Sequence, residues 1–288
     1  MKCLFCNADT TNSRSVEHII PQSFGNSKMI LKKGIVCDKC NNYFSVEIEN
    51  PFLSKDSSKM LRKELNIKSK KGNIPNVNDF PDDTNKIRQI SKNTFLFIDL
   101  DHNASEDAIQ KTVQTFLEYN TIIDKEIVNK DSITCRLLAK MAIEYFVFCL
   151  NQSEDACEYV RTDPAFKSII QFARYKPKME WDYNVRRYYA INKFHEDQIF
   201  DEINWECDLL FTEEGEVYYV VIMFGIEYVI NLGGPSIDGY KRFLEKYGNI
   251  SPLYLSKEER KDNFMKYAQK AYSMEEYQQF LFLLDRDK

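Results

Sequence analysis

Cys3-Leu4-Phe5-Cys6, Val16-Glu17-His18-Ile19-Ile20-Pro21 and Cys37-Asp38-Lys39-Cys40-Asn41-Asn42 follow one another within the first 42 residues, and their order decides how this part of the chain folds. Each CxxC can hold a tight turn that aims two thiolates at one ion. Two such turns complete a tetrahedral set that Zn²⁺ accepts without geometric penalty. A zinc held by Cys3, Cys6, Cys37 and Cys40 has no position left for water, so its role is structural: it folds a segment too small to build its own core. A disulfide pair and a redox CxxC are the competing readings, and two matched pairs in a reducing compartment suit zinc better. The other four cysteines, Cys135, Cys149, Cys157 and Cys207, lie scattered among apolar residues and read as small buried hydrophobes.

A bare zinc ribbon needs only turns and a short hairpin between its pairs, whereas 30 residues separate Cys6 from Cys37 here. The order C-x-x-C, E-H-I-I-P, C-x-x-C-N-N resembles the HNH endonucleases, in the subgroup whose last motif His is replaced by Asn. The resemblance covers roughly residues 1–50. It implies a ββα-metal fold, in which a hairpin presents an acidic residue and a His, and a helix presents a second metal ligand. Carried over, Glu17 binds a catalytic divalent ion, Mg²⁺ or Mn²⁺, and His18 is the general base. Asn41 is the second ligand, with Asn42 as an alternative. Tyr43, Phe44, Val46 and Ile48 have the spacing of a short helix after the motif.

The chemistry is sound on elementary grounds. A hard cation held by carboxylate and amide oxygens neutralises phosphate charge. An imidazole near its ordinary pKa of about 6.5 can activate water. Competing structural roles exist: His18 could fill the hairpin, and Asn41 could cap the helix. Glu17 and His18 are adjacent, and on a regular strand they point to opposite faces, so a shared site needs a bend or bulge. The family's middle Asn, which orients the His, has no counterpart in Leu31-Lys32-Lys33-Gly34-Ile35-Val36. The nearest are Asn26, in an expected Gly25-Asn26 turn, and Asn41 itself; a backbone carbonyl could substitute.

Net charge is −5, but residues 1–71 carry 13 Lys+Arg against 7 Asp+Glu, and residues 72–288 carry 26 against 37. A basic head on an acidic body suits a phosphate-facing module; the plain alternative is an uneven solvated surface. The candidate phosphate contacts are Lys28, Lys32, Lys33, Lys39, Lys55, Lys59, Arg62 and Lys63. Tyr43 and Phe44 could stack on bases, but their spacing favours packing on the zinc hairpin.

Beyond the motif the expected class is α+β: a zinc-bound HNH module at 1–53, a basic segment and linker at 54–92, and a larger mixed domain at 93–288. Basic helix is expected over 54–72 and irregular linker over 73–92, where Pro75 and Pro81 fall. Thr94–Leu100 is strand-like, and 105–119 helical. Ile133, Leu137, Met141, Tyr145 and Phe148 make 132–150 the clearest helix. Short helices are expected at 154–159 and 164–175, and strands at 187–191, 205–212, 216–224 and 227–231. Turns are expected at Glu213-Glu214-Gly215 and Gly225. Ser256-x-x-Glu259 and Ser273-x-x-Glu276 match capping boxes and start two closing helices. No Walker A, GxGxxG, kinase or hydrolase motif appears in the body.

The resulting expectation is a metal-dependent HNH endonuclease acting on nucleic acid, most simply double-stranded DNA. By analogy with other small nuclease heads on larger accessory domains, it is a bacterial defence or restriction effector. A homodimer or a defence-system partner would dock through 93–288. The alternative is a non-catalytic zinc-bearing module that binds nucleic acid or protein. No stretch reaches about 18 apolar residues, and polar residues follow Cys6 at once. No membrane association, no secretory signal and a cytoplasmic location are therefore expected.

Overall fold

The computed structural model describes residues 1–55, 58, 59, 62, 67, 68, 72, 73, 86–88, 97–99, 105–107, 110, 127–129, 131–175, 178–187, 205–223 and 225–271. Most of the helix expected at 105–119, most of the basic segment beyond Lys55, and the Ser273/Glu276 box lie outside these residues.

The N-terminal module starts with a turn over Cys3–Cys6, closed by an antiparallel bridge between Lys2 and Asp9. A second antiparallel bridge joins His18 to Ile30. Beside it Ile19 N donates to Met29 O at 3.1 Å and Leu31 N donates to Glu17 O at 2.9 Å. Between these arms the chain makes a short 3-10 turn, Gln22–Phe24, then Gly25 at φ 85°. Asn26, 1% exposed, holds this loop shut. Its amide nitrogen donates to Ile20 O (2.8 Å) and Met29 O (2.9 Å), and its oxygen accepts from Lys28 N (3.0 Å) and Met29 N (2.9 Å).

Helix α1 (Asp38–Phe44) begins at the second CxxC. Cys37 is its N-cap and accepts from Cys40 N, while Asp38 Oδ1 accepts from Arg14 N (2.9 Å), Ser15 N (2.8 Å) and Ser15 Oγ (2.6 Å). The helix runs through a π turn, Ser45–Glu49, into α2 (Asn50–Leu53). Pro51, at the start of α2, has no N–H to continue an α ladder, and the wider turn directly before it fits that gap.

The body is built on α3 (Ser132–Cys149). Asp131 caps it, accepting from Thr134 N at 3.1 Å. Thirteen of its 18 residues are buried, so it is covered all round and not a surface helix with one apolar stripe. α4 (Glu154–Thr162) and α5 (Pro164–Tyr175) pack beside it.

β1 (Lys86–Arg88) pairs antiparallel with β2 (Phe97–Asp99), which places a strand where linker was expected. β3 (Ile127–Asn129), β4 (Tyr183–Arg187), β5 (Trp205–Phe211), β6 (Val217–Met223) and β7 (Ile226–Asn231) form an antiparallel sheet in the order β3-β4-β7-β6-β5. Gly215 and Gly225, at φ 88° and 77°, take the left-handed conformation that the turns flanking β6 require. β4 ends at Arg187, where a strand was expected to begin; residues 188–191 are not described.

β6 is buried at every position, and its alternation explains how. Val217, Tyr219, Val221 and Met223 join the core that contains α3. Tyr218 and Val220 join a second core with Tyr240, Phe243 and Leu244 of α6 (Asp238–Lys246). This helix has no N-capping side-chain bond, and no helix was expected there. The expected capping box does start α7 (Lys257–Ala271): Ser256 N donates to Glu259 Oε2 (2.9 Å) and Glu259 N to Ser256 Oγ (3.2 Å). Cys3, Leu4, Phe5, Ile19, Phe44 and Ile48 of the N-terminal module belong to the same core as Leu137, Met141 and Tyr219.

Asn26 offers a direct check on the hairpin. Asn26→Ala should lower stability by about 2–4 kcal/mol in urea or thermal unfolding, because loop amides and carbonyls lose partners in a partly buried site. Asn26→Asp keeps both accepting bonds but turns a carboxylate oxygen toward the Ile20 and Met29 carbonyls, so it should lose at least as much.

Candidate metal centre and active site

One sulfur from each of Cys3, Cys6, Cys37 and Cys40 lies within 4.8 Å of all the others. Cys6 and Cys37 Sγ are 3.6 Å apart. A zinc tetrahedron with bonds of about 2.3 Å needs sulfurs about 3.8 Å apart, so small inward shifts complete the site. Backbone amides face the sulfurs: Cys37 N donates to Cys3 Sγ (3.3 Å) and Cys40 N to Cys37 Sγ (3.4 Å).

Without a cation, four thiols this close cannot all ionise. The hydrogen bond with Cys40 chiefly draws the Cys3 thiol down to about 4, whereas the same bond and burial drive Cys40 far up. Burial also raises Cys6. A divalent cation removes this conflict by taking all four as thiolates. The donor set is sulfur alone, which fits a structural zinc.

Arg174, in the last turn of α5, donates from Nε to Cys40 Sγ at 3.1 Å. Its guanidinium stacks 3.9 Å from the centre of the Tyr43 ring, and Arg136 of α3 donates to the Tyr43 hydroxyl. Tyr43 is thus held from within, and Phe44, fully buried, meets Phe5 edge-on with ring centres 4.6 Å apart. Both aromatics pack, as their spacing suggested. Arg174 lies more than 130 residues from Cys40 in sequence, and no motif pointed to it.

The motif residues divide between two environments. His18 is half-buried and lies in the bridge with Ile30. Asn41 is half-buried on α1, and its Nδ2 donates to Val16 O at 3.1 Å, which ties the helix to the strand next to Glu17. That bond leaves the amide oxygen as the atom a cation would take. Asn42 is exposed.

Glu17 is 6% exposed and its Oε1 lies 2.7 Å from Nζ of Lys140, a fully buried residue of α3. The same ammonium meets Glu49 Oε1 (3.0 Å), Glu144 Oε2 (3.2 Å) and the backbone carbonyl of His18 (2.9 Å). Burial opposes the charge on Lys140, but Glu144, Glu17 and Glu49 outweigh it and hold the ammonium protonated. Burial pushes the Glu144 carboxyl well above the usual carboxylate range. Sequence reasoning missed Lys140, although Arg136, Lys140 and Glu144 form a four-residue-spaced charged stripe on an apolar helix.

Of the expected phosphate contacts, Lys28, Lys33 and Lys39 are exposed. Lys32 is exposed, but its Nζ donates to Asn151 O at 3.0 Å and its backbone N–H to Gln152 Oε1 at 2.6 Å. Lys55 pairs with Asp131 and donates to Thr134 Oγ1 at 2.8 Å. Arg62 is 6% exposed and so does not project as a surface cation. Lys59 is half-buried, and Lys63 lies outside the described residues. Lys55, at the start of the basic segment, finds its partners on the body.

Residues 3–57 match the family model described as HNH endonuclease. The N-terminal module is an HNH domain. Its four-cysteine cluster fits the zinc-bearing subgroup, and the family is one of nucleases, which implies nucleic-acid binding. No curated protein and no solved structure matches the chain. Among the described residues, no helix is long and apolar enough to cross a membrane.

The purified chain should carry one zinc, and Arg174→Met should lower zinc affinity about 10–100-fold, the usual effect of losing a group that hydrogen-bonds a metal ligand. Chelator competition with a chromogenic zinc indicator reads this out. An unchanged affinity would make Arg174 a packing residue for Tyr43 alone.

Proposed function

We propose that the protein is a metal-dependent HNH endonuclease that hydrolyses phosphodiester bonds, with double-stranded DNA as its first candidate substrate. The observation that carries this reading is the tie between Asn41 on the zinc-braced helix and Val16 on the strand that bears Glu17 and His18. It ties the motif helix to the hairpin arm that carries Glu17 and His18, which supports a site at that junction.

In this reading His18 removes the proton of the attacking water. The bridge to Ile30 fixes its strand, and Lys140 binds its backbone carbonyl, so the main chain is held from both sides. Asn26 acts one step back, by closing the loop between the hairpin arms. A divalent ion, when bound, supplies charge neutralisation at the phosphate and leaving oxygen. Asn41 fits as its holder, with Asn42 as the alternative; Glu17 fits only once it has parted from Lys140. Lys28, Lys33 and Lys39 supply sequence-blind attraction to the backbone. A cytoplasmic defence or restriction role accompanies the reading, with the body as the docking surface for a second copy or a defence partner.

One observation favours the second reading, a non-catalytic zinc-bearing binding module: the motif's acidic residue is already neutralised by an internal lysine. A single experiment separates the two. Plasmid DNA and a structured RNA are incubated with the zinc-loaded protein and Mg²⁺ or Mn²⁺, beside His18→Ala. Cleavage by the wild type, reduced at least about 10²-fold in the variant, supports the nuclease. Nucleic-acid binding without cleavage by either form, across a range of salt, supports the binding module. Cleavage of RNA alone would replace DNA as the substrate.

A further inference from the structure

The ammonium of Lys140 is completely buried and lies within reach of four acceptors, Glu17, Glu49, Glu144 and the His18 carbonyl, for its three N–H groups. Two of these acceptors come from the hairpin arm, one from the end of the π turn, and one from α3 itself. The cation therefore sits where hairpin, motif helix and body helix converge. It arrives from a residue about 120 positions away, on an element that lies outside the HNH match.

We propose that Lys140 is the resident cation of the HNH site, occupying Glu17 so that a divalent ion can use that carboxylate only by displacing the ammonium. This rests on the HNH reading of Glu17 and goes beyond it, because control of the metal site passes to the body. The physical basis is competition for one carboxylate. A divalent ion and an ammonium brought to the same oxygens repel each other strongly in a buried setting. The covalent tether also keeps the ammonium at high local concentration, whereas a free ion must pay its own dehydration. Glu49 Oε1 and Glu144 Oε2 strengthen the hold, lying 3.0 and 3.2 Å from the same ammonium. Asn41, outside this cluster, remains available to a cation whether or not Lys140 stays in place.

The test uses Mn²⁺ and the full-length zinc-loaded chain, with binding read from loss of the free Mn²⁺ signal in electron paramagnetic resonance. Lys140→Met should bind one Mn²⁺ at least about ten-fold more tightly than the wild type, and adding Glu17→Gln should erase the gain. Equal affinity in the wild type and a Lys140→Met protein of native zinc content and circular dichroism overturns the proposal. Removing one partner from a buried ion cluster is costly, so a second measurement stands independently of that variant. Glu17→Gln alone should lower wild-type Mn²⁺ affinity by less than about ten-fold, because the ion reaches that carboxylate only against the ammonium. A ten-fold loss would mean Glu17 is already an open ligand and Lys140 no competitor. No cleavage enters either measurement, so failure of the nuclease reading appears separately, in the plasmid and RNA assay.

Discussion

A lysine ammonium with no exposure to solvent, held among three carboxyl groups and a peptide carbonyl, is the constraint on which the rest of the structure depends. Desolvating a charge is costly, and the cost is offset only when its partners are complete and well placed. Here the partners are spread over the hairpin, the π turn and α3. The cluster can therefore form only when the HNH module is docked on the body in one orientation. Apolar burial favours close packing but tolerates small slips; four directional contacts to one nitrogen do not. The π turn before Pro51 belongs to the same constraint, because Glu49 ends that turn.

The zinc centre is joined to the body by the same kind of device. Arg174 places one guanidinium against both a zinc-ligand sulfur and the face of Tyr43, while Arg136 binds the hydroxyl of that ring. Arg174 and Arg136 come from adjacent body helices, so Tyr43 acts as a connector between the cysteine cluster and α3. The four-cysteine cluster, which fits a structural zinc, braces the head, and the two arginines tie it to the body. The bond to Cys40 also matters chemically, since a positive donor offsets thiolate charge and sharpens the site's preference for the ionised sulfur.

The parts of the molecule legible in sequence were those written locally. The CxxC pairs and their bracketed E-H-I-I-P fixed the metal cluster and the hairpin because ligand spacing is a short-range property. The 3.6-residue period announced α3, and the Ser256/Glu259 box announced α7. What escaped was written across distance or in weak local signals. α6 has no capping side chain, and β1 and β3 are only three residues long, too short for a pattern to accumulate. Lys140 and Arg174 owe their roles to tertiary packing. The stripe Arg136, Lys140, Glu144 was nevertheless visible: charges recurring every four residues on a helix with otherwise apolar surroundings predict a buried polar seam. The adjacency of Glu17 and His18 was the other legible warning. The structure answers it by sending the carboxylate of Glu17 into the interior while the backbone of His18 stays pinned at the hairpin.

The same seam changes the meaning of the basic N-terminal half. Its positive charge looked like one phosphate-facing surface, but the cations are not equivalent. Lys55 is committed to Asp131, Arg62 is buried, and Lys32 reaches the loop after α3. Lys55 and Lys32 hold the head to the body, a use that the charge count alone cannot distinguish from nucleic-acid binding. Lys28, Lys33 and Lys39 remain exposed, beside the hairpin and the motif helix. In the proposed nuclease, long-range attraction of a polyanion and the chemistry at His18 draw on the same small module, while the body holds that module in place and Lys140 pairs with its acidic residue.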